Sequence, residues 1–267
     1  MVTQGNCGRC SMAGPTPEME EKMDILPGAS LQEAVLSRAL SLGADLAGIC
    51  RVEDLRRSPS HRAEEEKHPF HWPREARTVI VTAVSHPEDK PEMDWWLLRS
   101  GKGNTPGNEI LIRIVSRLSQ WLSHDLGYAC FPIPYHIERG GYYMKDAAVL
   151  AGLGCIGRNN LLVTPRYGPR VRLRLLLTSA DLPPTEGSSF DPCSRCSMPC
   201  RKACPRQAFP GSPSRERAGY ERILCDRRMK EDEASAEEIL LEGQAARRVI
   251  YCRRCELSCP VGKEGPG

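Results

Sequence analysis

Net charge is the first thing this chain has little of. Its 37 lysines and arginines face 34 acidic residues and leave +3 over 267 residues. That excludes a strong electrostatic footprint for nucleic acid. The sequence also lacks any uninterrupted apolar run of membrane-spanning length. Its N-terminus has none of the basic, apolar and small-residue regions of an export signal, so a cytoplasmic location without a membrane partner is expected. No internal repeat recurs apart from two cysteine-rich runs. Cysteine is what the chain has in abundance, 13 residues in all. In a short exported chain they would suggest disulfides. Here they fall in CxxC pairs that run on to Cys-Pro, a pattern that reads as metal binding in a reducing compartment.

With 40% apolar residues the chain can fill one sizeable core and a small appended module. Residues 1–24, rich in Gly, Pro, Met and Glu, read as a tail. Its Cys7 and Cys10 form a CxxC that reads as a flexible pair in preference to a redox pair or a third metal half-site. Ser30 and Glu33 make a capping box for a helix through Leu31, Ala34, Val35, Ala39 and Leu40, ended at Gly43. Residues 46–50 predict a short strand, 53–76 a charged surface segment, and 78–84, TVIVTAV, a buried strand. A loop with Gly101, Gly103, Pro106 and Gly107 leads to Asn108, an N-cap for a helix whose apolar face runs from Leu111 to Leu122 and stops near Gly127. A strand at 128–133 and a short helix at 145–151, ended by Gly152, are expected next. Two strands at 160–164 and 170–178 flank a Pro-containing turn. In the second, Arg170, Arg172 and Arg174 alternate with Val171, Leu173 and Leu175. That reads as a half-buried strand with a solvated basic face, ahead of a docking face for an anionic partner. The Pro, Gly and Ser content of 183–189 marks a boundary between a core, residues 25–185, and a C-terminal module, residues 186–267.

The module carries the chemistry. One run is Cys193-x2-Cys196-x3-Cys200-x3-Cys204-Pro205; the other is Cys252-x2-Cys255-x3-Cys259-Pro260, with Cys225 upstream. In bacterial ferredoxins three closely spaced cysteines hold one [4Fe–4S] cluster and the fourth, before proline, crosses to the other. That rule assigns Cys193, Cys196, Cys200 and Cys259 to one cluster and Cys204, Cys225, Cys252 and Cys255 to a second. Met198 and Pro199 lie in a gap of three residues where the usual run has two, and are read as a bulge that keeps Cys200 in reach. A pair of zinc sites would also use eight cysteines, but zinc ribbons do not usually carry the terminal x3-Cys-Pro on both runs. Cys50, Cys130 and Cys155 sit in apolar or glycine-rich surroundings and read as small core residues.

Lys145 and the stretch DAAVLAGLGCIGRNNLLVTPRYGPRVRLRLLLTSADLP that follows it resemble the family of epoxyqueuosine reductases and corrinoid reductive dehalogenases. Those proteins carry an AGLG-x-IG-x-N-x-L signature, a PxYG turn between strands, a DLP tripeptide and then a double ferredoxin module. The similarity covers about residues 75–260. It implies an α/β (α+β) fold with a nitroreductase-like cobalamin-binding core, ahead of a bacterial-ferredoxin-like domain with two [4Fe–4S] clusters. It implies a cobalamin held base-off and reduced to Co(I) by the nearer cluster. The chain has no D-x-H-x-x-G, the motif that gives a histidine to cobalt in other cobalamin folds. Carried over residue by residue, the resemblance puts an acidic proton donor at Glu138, where the family has Asp. It puts a basic residue at Lys145 and a tyrosine donor at Tyr142 or Tyr143, an acid beside a basic partner being suited to proton delivery. Gly154, Ile156, Gly157, Asn159 and Asn160 would approach the cofactor. The glycines are also explained as tight turns, and the asparagines as turn caps.

The sequence stops soon after Pro260, where epoxyqueuosine reductases continue into a helical-repeat domain that helps hold tRNA, and it has no twin-arginine signal. The expectation is a compact reductase. Its partners are a small-molecule or nucleoside-like substrate and an electron donor such as a ferredoxin or flavodoxin, with tRNA disfavoured. The alternatives are a ferredoxin-like electron carrier or corrinoid-protein activator without substrate chemistry of its own, and a structural zinc protein.

Overall fold

The computed structural model describes residues 29–64, 69–99, 101–210, 219–241 and 243–263; the tail with Cys7 and Cys10 lies outside them. In chain order, α1 (Leu31–Ser41) and β1 (Leu46–Arg51) precede two short helices, α2 (Val52–Arg56) and α3 (Pro59–Glu64), and then β2 (Thr78–Ser85). A 3-10 turn at Pro91–Asp94 leads into β3 (Trp96–Arg99) and β4 (Lys102–Asn104). Next come α4 (Pro106–Gln120), continued by a π turn at Trp121–Asp125, then β5 (Cys130–Pro132), a 3-10 turn at Ile137–Arg139 and α5 (Met144–Leu150). The two-residue strands β6 (Cys155–Ile156) and β7 (Leu162–Val163) precede the long β8 (Val171–Thr178). The C-terminal part holds α6 (Pro199–Lys202), α7 (Arg222–Ala234), β9 (Glu237–Leu241), β10 (Gln244–Val249) and α8 (Arg254–Leu257). Among the described residues no helix is long and apolar enough to cross a membrane.

The main sheet has the order β1-β2-β8-β5, antiparallel throughout. One face packs α1 and α4: Ile80, Val84 and Leu176 meet Val35, Ala39, Leu111, Ile114 and Leu118. The other packs α2 and α5: Val79, Val81, Leu173, Leu175 and Leu177 meet Leu55, Ala147, Ala148 and Ala151. A strand covered on both faces needs apolar residues at every position, which is why TVIVTAV shows no alternation. At α1 the Ser30 side chain accepts from the Glu33 N–H, and the Glu33 carboxylate takes the Ser30 N–H at 2.8 Å, the capping box that the spacing predicts. Gly152 stops α5 with φ +72°; a Cβ there would lie 2.0 Å from the Glu186 carbonyl oxygen, so only glycine fits.

Four expectations are corrected. The cap of α4 is Thr105, not Asn108: its hydroxyl accepts the Asn108 N–H at 3.1 Å and Pro106 fills the first turn. Asn108 sits one turn in, bonded to Asn104 and Arg174. The segment at 53–76 is not wholly surface, since Leu55 and His61 are buried. The strand expected at 160–164 is only the two residues of β7, which pairs with β6. The arginines of β8 are not solvated: Arg170 is buried and Arg172 and Arg174 half-buried. A second sheet, β4-β3-β10-β9, joins strands from either side of residues 183–189. Its strands escaped sequence reading because glycine flanks β4, and β9 and β10 carry charge without clean alternation.

His61 sits in an aromatic pocket formed with Phe70, Trp72, Tyr142 and Tyr143. Its Nδ1 pairs with the Ser58 hydroxyl at 2.8 Å and its Nε2 accepts the Tyr143 N–H at 3.3 Å. Burial pushes the imidazole down from 6.5 to about 4, against a smaller opposing pull from Asp146. The unfolded chain therefore takes up a proton near pH 6.5 that the folded chain refuses until about pH 4. This contribution to stability is full above pH 6.5 and is lost as pH falls through that window, on the order of 3 kcal/mol in total. Urea unfolding followed from pH 7.5 to pH 5 is expected to show the decline, and His61→Gln to flatten it.

Candidate cluster site and its surroundings

The two cysteine runs are built on tight turns. The Cys196 N–H bonds to the Cys193 carbonyl, Met198 takes a left-handed conformation at φ +56°, and Pro199 opens the single turn of α6 that carries Cys200. The extra residue between Cys196 and Cys200 is absorbed at Met198. Cys193, Cys196, Cys200 and Cys259 line one cavity, together with Asn159, Pro260 and Val261. Each of the four sulfurs accepts a main-chain N–H. Met198 donates to Cys196 at 3.3 Å, and Arg158, Arg201 and Val261 donate to Cys193, Cys200 and Cys259. Burial pushes the Cys200 thiol up to about 11, with further repulsion from Cys259, Cys193 and Cys196.

The other four cysteines gather at a second place. Burial, then Glu256, then Cys225, Cys252 and Cys204 raise the Cys255 thiol to about 12. Cys204 accepts the Ala208 N–H at 3.3 Å, and the Cys252 N–H donates to Asp232 at 2.9 Å on α7, the helix that carries Cys225. The cysteine before each proline therefore lies with the opposite run. At the first place the sulfurs line a cavity. Among the described residues no three His, Cys, Asp or Glu side chains converge enough to share one ion.

The AGLG-C-IG loop lies against the first set. A Cβ at Gly157 would be 3.6 Å from the Cys193 sulfur and 2.6 Å from Val163; one at Gly154 would be 2.1 Å from the Val163 carbonyl. Asn159 is buried, donates to the Cys255 carbonyl at 3.2 Å and accepts from the Leu161 N–H. Asn160, at φ +58°, offers its carbonyl to the Lys145 ammonium. Ile156 is half-buried in β6. Beside it Cys155 is no ordinary core residue: it is half-buried, and its thiol is pushed up to about 11 by burial and then by the charges of Cys193, Asp191 and Cys259. Cys50 is buried and Cys130 half-buried against Thr178.

Glu138 lies within charge range of Tyr143, whereas Tyr142 and Lys145 are bonded elsewhere. Glu138 is exposed on the 3-10 turn at Ile137–Arg139. The Tyr142 ring stacks on Trp72 at 4.1 Å and its hydroxyl donates to the His71 carbonyl at 2.6 Å, which makes it a packing residue. Tyr143 is the tyrosine in an acidic setting: burial raises its pKa first, followed by Glu64 and Asp146, with Glu138 also contributing and Arg222 of α7 opposing. Arg222, Glu64 and Asp146 carry no local motif that singles them out in sequence.

The core reaches into the second cysteine run through polar side chains that sequence reading passed over. Arg170 donates to the carbonyls of Cys259, at 3.2 Å, and Val261. Arg172 bonds to Asp94 and Glu256, both at 2.9 Å. Arg174 bonds to Asn108 and the Ile133 carbonyl. The visible signal was the regular arginine spacing on β8; the partners that bury it are distant in sequence.

No protein-family model matches the chain. It is 26% identical over 196 residues to an epoxyqueuosine reductase of Lactococcus garvieae, covering 71% of this chain and 53% of the relative. It is 43% identical over 98 residues to a tetrachloroethene reductive dehalogenase of Desulfitobacterium hafniense, covering 32% of this chain and 18% of the relative. The chain thus spans about half the length of the first and less of the second. The solved epoxyqueuosine reductase of Streptococcus thermophilus superposes with a TM-score of 0.60 at 19% identity, over 90% of this chain and 68% of that one. Sequence similarity and a shared fold make the chain a homologue of the epoxyqueuosine reductases and reductive dehalogenases.

Proposed function

We propose that the chain is an iron–sulfur oxidoreductase that passes electrons through two [4Fe–4S] clusters to a reductive reaction. The observation that carries this reading is the division of eight cysteines into two sets of four, each with one cysteine contributed by the opposite run. The donors fit the group: cysteine sulfurs only, those of the first set each accepting a main-chain N–H that would stabilise negative charge on sulfur. When bound, such clusters supply one-electron transfer. Cys204 lies near Cys255 and Cys259 lines the cavity of Cys193, Cys196 and Cys200, an exchange that would keep the two clusters adjacent.

Cobalamin is the acceptor that the resemblance implies. The five residues assigned to it do not fit that role as a group, because Gly154, Gly157 and Asn159 are packed against the chain itself. That misfit favours a second reading, an electron carrier or corrinoid-protein activator. In the leading reading, exposed Glu138 delivers the proton of the reductive step beside Tyr143, and Lys145, bonded to Asn160, braces the loop over the first cysteine set. The substrate is a small molecule or a nucleoside-like group, and the donor is a low-potential carrier such as a ferredoxin or flavodoxin.

Anaerobic reconstitution with iron and sulfide is expected to give about eight irons per chain; stoichiometric zinc without iron overturns the reading. Crossed ligation has its own test. The double variant Cys196→Ser/Cys259→Ser removes two ligands of one cluster and is expected to retain about four irons, whereas uncrossed ligation would cost both clusters. Adding hydroxocobalamin to the reconstituted chain separates the two functional readings: a Co(II) EPR signal from bound corrinoid supports the reductase. Glu138→Gln is expected to slow turnover of a reducible substrate by about 10²–10⁴-fold, measured under single-turnover conditions, with iron content unchanged.

A further inference from the structure

Four charged side chains close a ring between the core and the second cysteine run. Asp94 ends the 3-10 turn before β3, Arg172 stands on β8, Arg253 lies between Cys252 and Cys255, and Glu256 follows Cys255. Arg172 pairs with Asp94 and with Glu256, both at 2.9 Å. Arg253 pairs with the same Asp94 oxygen at 2.8 Å and, through its Nε at 3.1 Å, with the other Glu256 oxygen. Carboxylates and guanidiniums alternate around the ring and sum to zero. Side-chain exposure is 25% for Arg172, 13% for Asp94, 12% for Arg253 and 5% for Glu256. Fully buried His86 holds the remaining Asp94 oxygen through Nδ1 at 2.6 Å, and its carbonyl accepts from Arg253 at 2.7 Å.

Closing a seam does not by itself call for charge, since apolar side chains of similar volume hold buried seams as well or better. What distinguishes this ring is its place: two of its members belong to the turn that carries Cys252 and Cys255. We propose that Asp94, Arg172, Glu256 and Arg253 are positioning residues for the cluster of Cys204, Cys225, Cys252 and Cys255. They anchor its ligand turn to the core and, by their balanced charge, set the potential at which it takes up an electron. The proposal rests on the cluster reading above. Reduction adds one electron from a low-potential one-electron donor and moves no proton. With the ring intact its four charges sum to zero, with Glu256 the member next to a ligand, Cys255. Neutralising one member leaves a charge of known sign close by in a low-dielectric site.

The test is a redox titration of the anaerobically reconstituted full-length chain, followed by EPR after iron has been counted. Cys252→Ser identifies which signal belongs to this cluster. Glu256→Gln leaves net positive charge and is expected to raise the potential of that signal; Arg172→Gln leaves net negative charge and is expected to lower it. The other cluster is expected to move less in both variants. A ligand turn that merely loosens would shift both variants the same way, and that result overturns the proposal, as does full iron with unmoved potentials. If Arg172→Gln does not fold, Arg253→Gln takes its place and is expected to lower the potential that Glu256→Gln raises; a shift in the same direction overturns the proposal. A wild-type chain that takes up no iron removes the cluster reading and the proposal together, whereas an iron-loaded chain with insensitive potentials removes the proposal alone.

Discussion

Three arginines on a strand at the centre of the main sheet constrain what can be built against them. A guanidinium removed from water must find acceptors, because its charge cannot be discarded as a lysine's can. Arg170 finds two carbonyls at the end of the second cysteine run, Arg172 finds Asp94 and Glu256, and Arg174 finds Asn108 and Ile133. Two of the three therefore terminate in the cysteine-bearing segment. Burial alone would lower the pKa of Arg172, but Glu256 and Asp94 more than offset it and hold the group charged. The core and the cysteine segment meet through polar groups that each would leave unsatisfied alone.

The same seam explains the glycine-rich loop. Gly154 and Gly157 allow the chain to pass within contact distance of β7 and of the Cys193 sulfur, and Asn159 bonds to the carbonyl of Cys255. One short segment thus touches both cysteine sets. Cys155, beside Cys193 and Cys259, adds a ninth sulfur to that neighbourhood.

Elements with a strong local signal were legible from the residues alone. The capping box at Ser30 and Glu33, the unbroken apolar run of β2, the amphipathic α4 and the glycine stop after α5 each state their structure within a few residues. The eight cysteines were legible as two runs for the same reason, since CxxC turns are local. The second sheet was not, because two local pairs of strands, β3 with β4 and β9 with β10, are joined only by the pairing of β3 with distant β10 and carry little alternation of their own.

By itself the sequence determined which residues have to be inside, where helices start and stop, and that thiol ligands come in two runs. Only the tertiary structure decided that Arg170, Arg172 and Arg174 face acceptors and not solvent, and that Tyr142 packs while Tyr143 meets the acids. The physical reason is range. Periodicity and capping act over one or two turns of chain, whereas the partner of a buried charge or thiol is chosen by whichever distant segment the packed core brings against it.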